Sequence, residues 1–162
     1  MYVLEGNIAV RGFSLKKDKT VRFRTRHRFG MMPGSTVIVN DVCLTVKHNS
    51  LIGDKTDIFK GAEHTGRLDC SDFRHFSIIL KRNDGGTDVF KLEQQGYAEL
   101  YILSKSSIKV MSFDLSLNPL HLTDRYKITL FPNTFSDPAL EELMFYGGEI
   151  LYRKISLQSA RH

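Results

Sequence analysis

The chain has 162 residues, of which 41% are apolar and 25% charged, with a formal net charge of +5 and a pI near 9.2. That length suits a single domain, the apolar share can build a core, and the ordinary charge content excludes a disordered polyelectrolyte. No apolar run reaches the roughly 20 residues of a spanning helix, and the first residues lack the basic-then-apolar layout of a signal peptide, so a cytoplasmic protein with no membrane partner is expected.

Residues 2–13 (YVLEGNIAVRGF) are rich in β-branched and aromatic types and read as one strand, bulged at Gly6. Leu15-Lys16-Lys17-Asp18-Lys19 reads as a charged turn. The next strand, 20–29, has the strongest chemical bias in the chain. Arg22, Arg24, Arg26 and Arg28 occupy its even positions, and Val21, Phe23, Thr25, His27 and Phe29 its odd ones. Strand side chains alternate between faces, so one face becomes a row of guanidiniums about 6–7 Å apart and the other faces the core. Gly30 to Gly34 breaks this strand. A hairpin follows, with arms 37–39 and 42–46 around Asn40-Asp41, and with Val42, Leu44 and Val46 on one face.

Residues 48–72 show no sustained period and three glycines, which reads as a long loop with a subdomain boundary in it. The charge balance also changes there. Residues 1–60 hold 11 Lys and Arg against 5 Asp and Glu, whereas 61–162 hold 12 against 13. A basic first part and a near-neutral second part give the surface a direction along which an acidic partner is steered.

Further strands are expected at 73–82 and 87–92 around Asn83-Asp84-Gly85-Gly86, at 97–104 and 107–115 around Lys105-Ser106, and at 125–131. One helix is predicted over 138–146. Asp137 serves as N-cap, Pro138 as first residue, Leu140, Leu143 and Met144 as apolar stripe, and Gly147-Gly148 as stop. Phe145 and Tyr146 are read as core. A last strand is expected at 149–157. Many short strands with frequent turns and one short C-terminal helix make a mainly β domain, a mostly antiparallel sandwich or barrel spanning 1–162.

The candidate chemistry is sparse. Cys43 and Cys70 have no disulfide-framework spacing and read as reduced thiols. His64, Cys70 and His75, with Asp69 and Asp72 nearby, lack the pairwise spacing of metal ligands, and no phosphate-loop or nucleophile-elbow motif occurs, so neither a metal nor a cofactor is expected. Two segments, His75-Phe76-Ser77-Ile78 and His121-Leu122-Thr123-Asp124, resemble the two H-x-[S/T] signatures of the 2H phosphoesterase family. That resemblance implies paired histidines acting as acid and base on a phosphodiester, with the Ser77 and Thr123 hydroxyls holding the phosphate. The second segment departs from the pattern by placing Asp124 where an apolar residue belongs.

The leading expectation is a non-enzymatic binding protein. It would act as an inhibitor or modulator of a larger enzyme, such as a virus directs at its host. Arg22, Arg24, Arg26 and Arg28, helped by Lys16, Lys17 and Lys19, would dock on an acidic protein surface through bidentate pairing with carboxylates. A nucleic-acid-binding β-domain is the alternative, weakened because Phe23 and Phe29 point away from the arginines and are not available for base stacking. The phosphoesterase reading, resting on His75, Ser77, His121 and Thr123, comes third.

Overall fold

The computed structural model describes residues 1–7, 12–28, 34–48, 55–70, 75–96, 100–116 and 125–160. The expected break at 30–33, Phe29, the ends of the expected 48–72 loop and the second histidine segment lie outside these residues. Thirteen strands form one antiparallel sheet. They are β1 (Tyr2–Asn7), β2 (Gly12–Lys17), β3 (Thr20–Arg24), β4 (Arg26–Arg28), β5 (Gly34–Val39), β6 (Val42–His48) and β7 (Lys55–Lys60). There follow β8 (Glu63–Asp69), β9 (His75–Lys81), β10 (Thr87–Gln94), β11 (Leu100–Lys105), β12 (Ile108–Ser116) and β13 (Arg125–Leu130). The spatial order is β3-β2-β1-β13-β12-β11-β10-β9-β8-β7-β6-β5-β4. Except at the β1–β13 junction and between β3 and β4, strands pair with their neighbours in sequence, as in a meander.

The two ends of this order, β3 and β4, are consecutive in the chain. The segment 20–28 is one bent strand that changes partners at Thr25, its first half pairing with β2 and its second with β5. Counted once, it leaves 12 strands in a nearly closed barrel, which is the barrel alternative of the expected fold. Thr25 keeps two bonds across the change: its N–H donates to the Phe13 carbonyl at 2.9 Å, and the Phe13 N–H donates to its Oγ1 at 3.0 Å.

Turn chemistry sets the register. Asp18-Lys19, Asn40-Asp41 and Ser106-Ser107 each place two successive residues at positive φ, the geometry of the two-residue hairpin turns that match strand twist. Two expectations change here. Residues 2–13 are not one bulged strand: β1 and β2 pair with each other, and the expected turn at Leu15 begins at Asp18. The 48–72 region is largely a hairpin, β7 and β8, which sits in the same continuous sheet. Its core residues are few, Thr56, Ile58 and Leu68 with Gly66 between them, and so short a pattern hides in polar sequence.

The helix differs most from expectation. It runs from Asp137 to Ala160 and replaces the expected strand at 149–157. Ser136 caps it, accepting from the Ala139 N–H at 3.4 Å through its hydroxyl and from the Leu140 N–H at 3.0 Å through its carbonyl. Leu140, Leu143, Met144, Phe145, Tyr146, Ile150 and Leu151 are all buried, and they surround the helix. A helix apolar on every side must be enclosed. Its neighbours lie around the whole barrel wall. Phe145 meets Phe13 of β2 and Phe23 of β3 at 6.2 and 5.9 Å, Tyr152 meets Tyr126 of β13 at 5.7 Å, and Glu149 accepts from the Ser35 hydroxyl of β5. Phe135, just before the helix, meets Phe90 of β10 at 5.8 Å. The helix is therefore the barrel's core.

Gly147 and Gly148 do not stop this helix. They let it approach the wall. A Cβ on Gly147 would stand 2.7 Å from Cζ of Phe113, and one on Gly148 would stand 2.5 Å from Cε2 of Phe13. Both rings are buried and have little room to move. In an exposed helix Gly→Ala gains up to about 1 kcal/mol. Here Gly148→Ala should instead cost about 1–3 kcal/mol by overpacking. Urea denaturation of the variant will show a lowered midpoint, and an unchanged or raised midpoint would refute this packing role.

Candidate functional site

The arginines of 20–28 sit at the seam where the barrel closes. In the β2–β3 ladder Leu15 faces Phe23 and Lys16 faces Val21, so Arg22 is an extra residue with no partner. Such a bulge re-aims a side chain. Arg22 accordingly leaves the expected row and turns to the helix, while Phe23 points inward as expected. Arg22 Nε donates to Glu141 Oε1 at 2.6 Å and Nη2 to Oε2 at 3.3 Å. Asn40 Nδ2 donates to Glu141 Oε2 at 2.9 Å, and Tyr2 Oη to Oε1 at 3.3 Å. Arg22 Nη2 also reaches Asn40 Oδ1 at 3.3 Å.

Glu141 is 2% exposed, so its charge must be satisfied within the protein. Burial opposes the carboxylate, but the hydrogen bonds from Arg22 and Asn40, the Arg22 charge and the Tyr2 hydroxyl outweigh it and hold the carboxyl below the usual glutamate range. Burial and the neighbouring Glu141 push the Tyr2 phenol up to about 12. One carboxylate thus binds β1, β3 and the β5–β6 turn to the helix.

Arg24 and Arg26 are exposed and have no carboxylate partner among the described residues. Arg26 pairs with Thr36 in the β4–β5 ladder, and Ile38 lies two residues further along β5. Arg22 reaches Asn40 just past the end of β5. Ile38 is 66% exposed, and Val21 and Val42 are partly so. The outer seam therefore presents two guanidiniums without carboxylate partners among the described residues, with an exposed apolar residue on the neighbouring strand. The side chain of Arg28 lies outside the described set. The lysines are distributed less simply: Lys16 pairs with Glu5 at 2.8 Å, Lys17 lies over the Tyr2 ring at 5.2 Å, and Lys19 stands exposed in the β2–β3 turn.

The other candidates lie away from the seam. His75 is exposed on β9, with Nδ1 3.5 Å from Glu93 Oε1, and Ser77 is on the same face. Their proposed partners, His121 and Thr123, fall outside the described residues. Cys43 and Cys70 are not in a disulfide and lie near opposite ends of the β6–β8 sheet region. His64 sits between Asp57, 3.0 Å from Nε2, and the Lys81 ammonium, 2.7 Å from Nδ1. Among the described residues, no three His, Cys, Asp or Glu side chains gather as metal ligands.

Sequence reasoning missed Ile38 and the pairing of Arg22 with Glu141. Ile38 alternates with Val37 and Val39 in an apolar run, a sign that one of the three must face out. The Arg22–Glu141 contact spans 119 residues and leaves no local sign.

No known protein family, curated protein or solved structure matches this chain. Among the described residues, no helix is long and apolar enough to cross a membrane, which says nothing of a crossing made by strands.

The Glu141 network makes stability depend on acid. A carboxyl whose folded value is depressed contributes stability above its unfolded value, about 4.3, and loses it as pH falls through the folded value. Between about pH 5 and pH 3, therefore, wild type should lose more stability than Glu141→Gln. Arg22→Met, which leaves Glu141 with Asn40 and Tyr2, should lower the denaturation midpoint at neutral pH by more than Arg24→Met. Equal midpoints for the two arginine variants would show that the Arg22–Glu141 pair is not a support of the seam.

Proposed function

We propose that this protein is a non-enzymatic binding module that inhibits or modulates a larger enzyme by docking its seam on an acidic surface. The observation that carries this reading is the pair Arg24 and Arg26, exposed on the closing strand and without carboxylate partners among the described residues, with the exposed Ile38 on neighbouring β5. Guanidiniums on a rigid strand lose little freedom when they pair with carboxylates, and an apolar residue among them can be buried at the centre of a contact. Lys19 adds charge at one end of the strand, which speeds encounter with an acidic partner. Arg22 takes part through the frame, since its guanidinium anchors the strand on Glu141.

Filling of the interior favours the same reading. The helix and its aromatic neighbours occupy the barrel, so recognition falls to the outside. The nucleic-acid alternative draws on the same arginines but needs stacking rings, and Phe23 is buried against Phe13 and Phe145.

The test is affinity capture from a cytoplasmic lysate, comparing wild type with Arg24→Glu/Arg26→Glu. One dominant partner protein, lost in the double variant and released by salt, is the expected result. Recovery of the same partner by the double variant would remove the seam from the contact. Recovery of nucleic acid, with a steep salt dependence, would favour the alternative.

A further inference from the structure

On the wall opposite the seam lies a shallow groove of about 450 Å³ across the outer face of β10, β11 and β12. In strand order β11 is five steps from β3 and seven from β4, so the groove and the arginine pair look in different directions. Cross-strand pairing sets its composition. Lys91 faces Ser104, and Ser104 faces Lys109, which makes a row of ammonium, hydroxyl, ammonium on adjacent strands. Ser77 of β9 extends the row on the far side of Lys91. Strands stand about 4.8 Å apart, so the two lysine stems rise about 10 Å from each other, with Ser104 between them.

Neither ammonium is engaged by a carboxylate among the described residues, although Lys109 lies 5.8 Å from the centre of the Phe131 ring. Glu93, the one acidic side chain lining the groove, is directed to His75. Ser106 and Ser107 add two further hydroxyls from the β11–β12 turn, and Val89 and Ile102 line the groove on opposite sides of the Lys91–Ser104 pair. A tetrahedral oxyanion seated over Ser104 would lie within reach of both lysines, each of which bends inward through its flexible stem. It would accept from the hydroxyl beneath. Val89 or Ile102, one on each side of that position, would meet the carbon of a small substituent on the anion.

We propose that this groove binds a small phosphate-bearing anion, either inorganic phosphate or a phosphate monoester. Lys91 and Lys109 clamp the phosphoryl oxygens and Ser104 donates from below. The site is independent of the docking surface and adds a ligand-responsive face to it.

The test is a titration of the isotope-labelled full chain with inorganic phosphate, with sulfate and with glycerol 3-phosphate, followed by amide shifts. Saturable shifts are expected at Lys91, Ser104, Ser106 and Lys109. Lys91→Gln and Lys109→Gln should each weaken phosphate binding about tenfold, as loss of one charged hydrogen bond does. Lys91→Arg should retain it, and Arg24→Gln/Arg26→Gln should leave it unchanged. Tighter binding of glycerol 3-phosphate, with shifts reaching Val89 and Ile102, identifies an ester as ligand, and equal binding of the two identifies the free anion. Absence of saturable shifts overturns the proposal. So does equal weakening by the seam variants, which would reduce the effect to diffuse attraction by a basic protein.

Discussion

A closed sheet of about twelve strands encloses more space than its own side chains can fill, since about eight already bring the inner side chains into contact. An α-helix with its side chains is about 10–12 Å across, and one placed along the axis fills that space. The rest of the structure follows from this requirement. The C-terminal segment must carry apolar residues on all sides from Leu140 to Leu151, and its two buried carboxylates, Glu141 and Glu149, must be hydrogen-bonded to the wall. The strands must turn Phe13, Phe23, Phe113 and Tyr126 inward to meet it. Gly147 and Gly148 must lack side chains where two of those rings come closest. Two glycines in mid-helix cost backbone entropy, and the close ring contact offsets it.

Closure raises a second requirement, because an open edge invites pairing with other chains. The strand 20–28 solves it by belonging to both ends of the sheet, with Thr25 as the point of exchange. Arg22 is what remains unpaired at the bulge, and Glu141 on the helix receives it. A charge placed inside a protein is tolerated when it is fully hydrogen-bonded, and removing a partner is then costly. The network thus couples the filling of the barrel to its closure. It also holds the strand that carries Arg24 and Arg26 in place, so the same element is the barrel's closing strand and its proposed contact face.

Much of the fold can be read from local pattern. The Asn40-Asp41 hairpin and the Gly85-Gly86 turn signal themselves through residues that tolerate positive φ, and the inward set Val37, Val39, Leu44, Val46 follows from period two. The β7–β8 hairpin escapes this reading because polar residues dominate it and a glycine, Gly66, takes one of its inward positions. The site is half legible. Four alternating arginines mark 20–28 as unusual, and Phe23 turns inward as alternation requires. Nothing local says that Arg22 departs from the row, since its bulge arises in the pairing of two strands.

The sequence by itself determined a mainly antiparallel β domain with a C-terminal helix, its turns, and the concentration of basic charge near residues 16–28. These depend on contacts within a few residues, where propensity and periodicity act. Tertiary structure decided that the sheet nearly closes, that the helix runs to Ala160 and fills the interior with residues from Leu140 to Leu151, and that Arg22 is engaged by Glu141 while Arg24 and Arg26 have no carboxylate partner among the described residues. Gly-Gly ends a helix in water but continues one that is packed against rings. The stretch EILYRKISL favours a strand by composition but is helix, and its residues Glu149, Ile150 and Leu151 are buried. Long-range packing outweighed local preference at each of these points, because burying a whole helix against a whole barrel involves far more surface than any single turn.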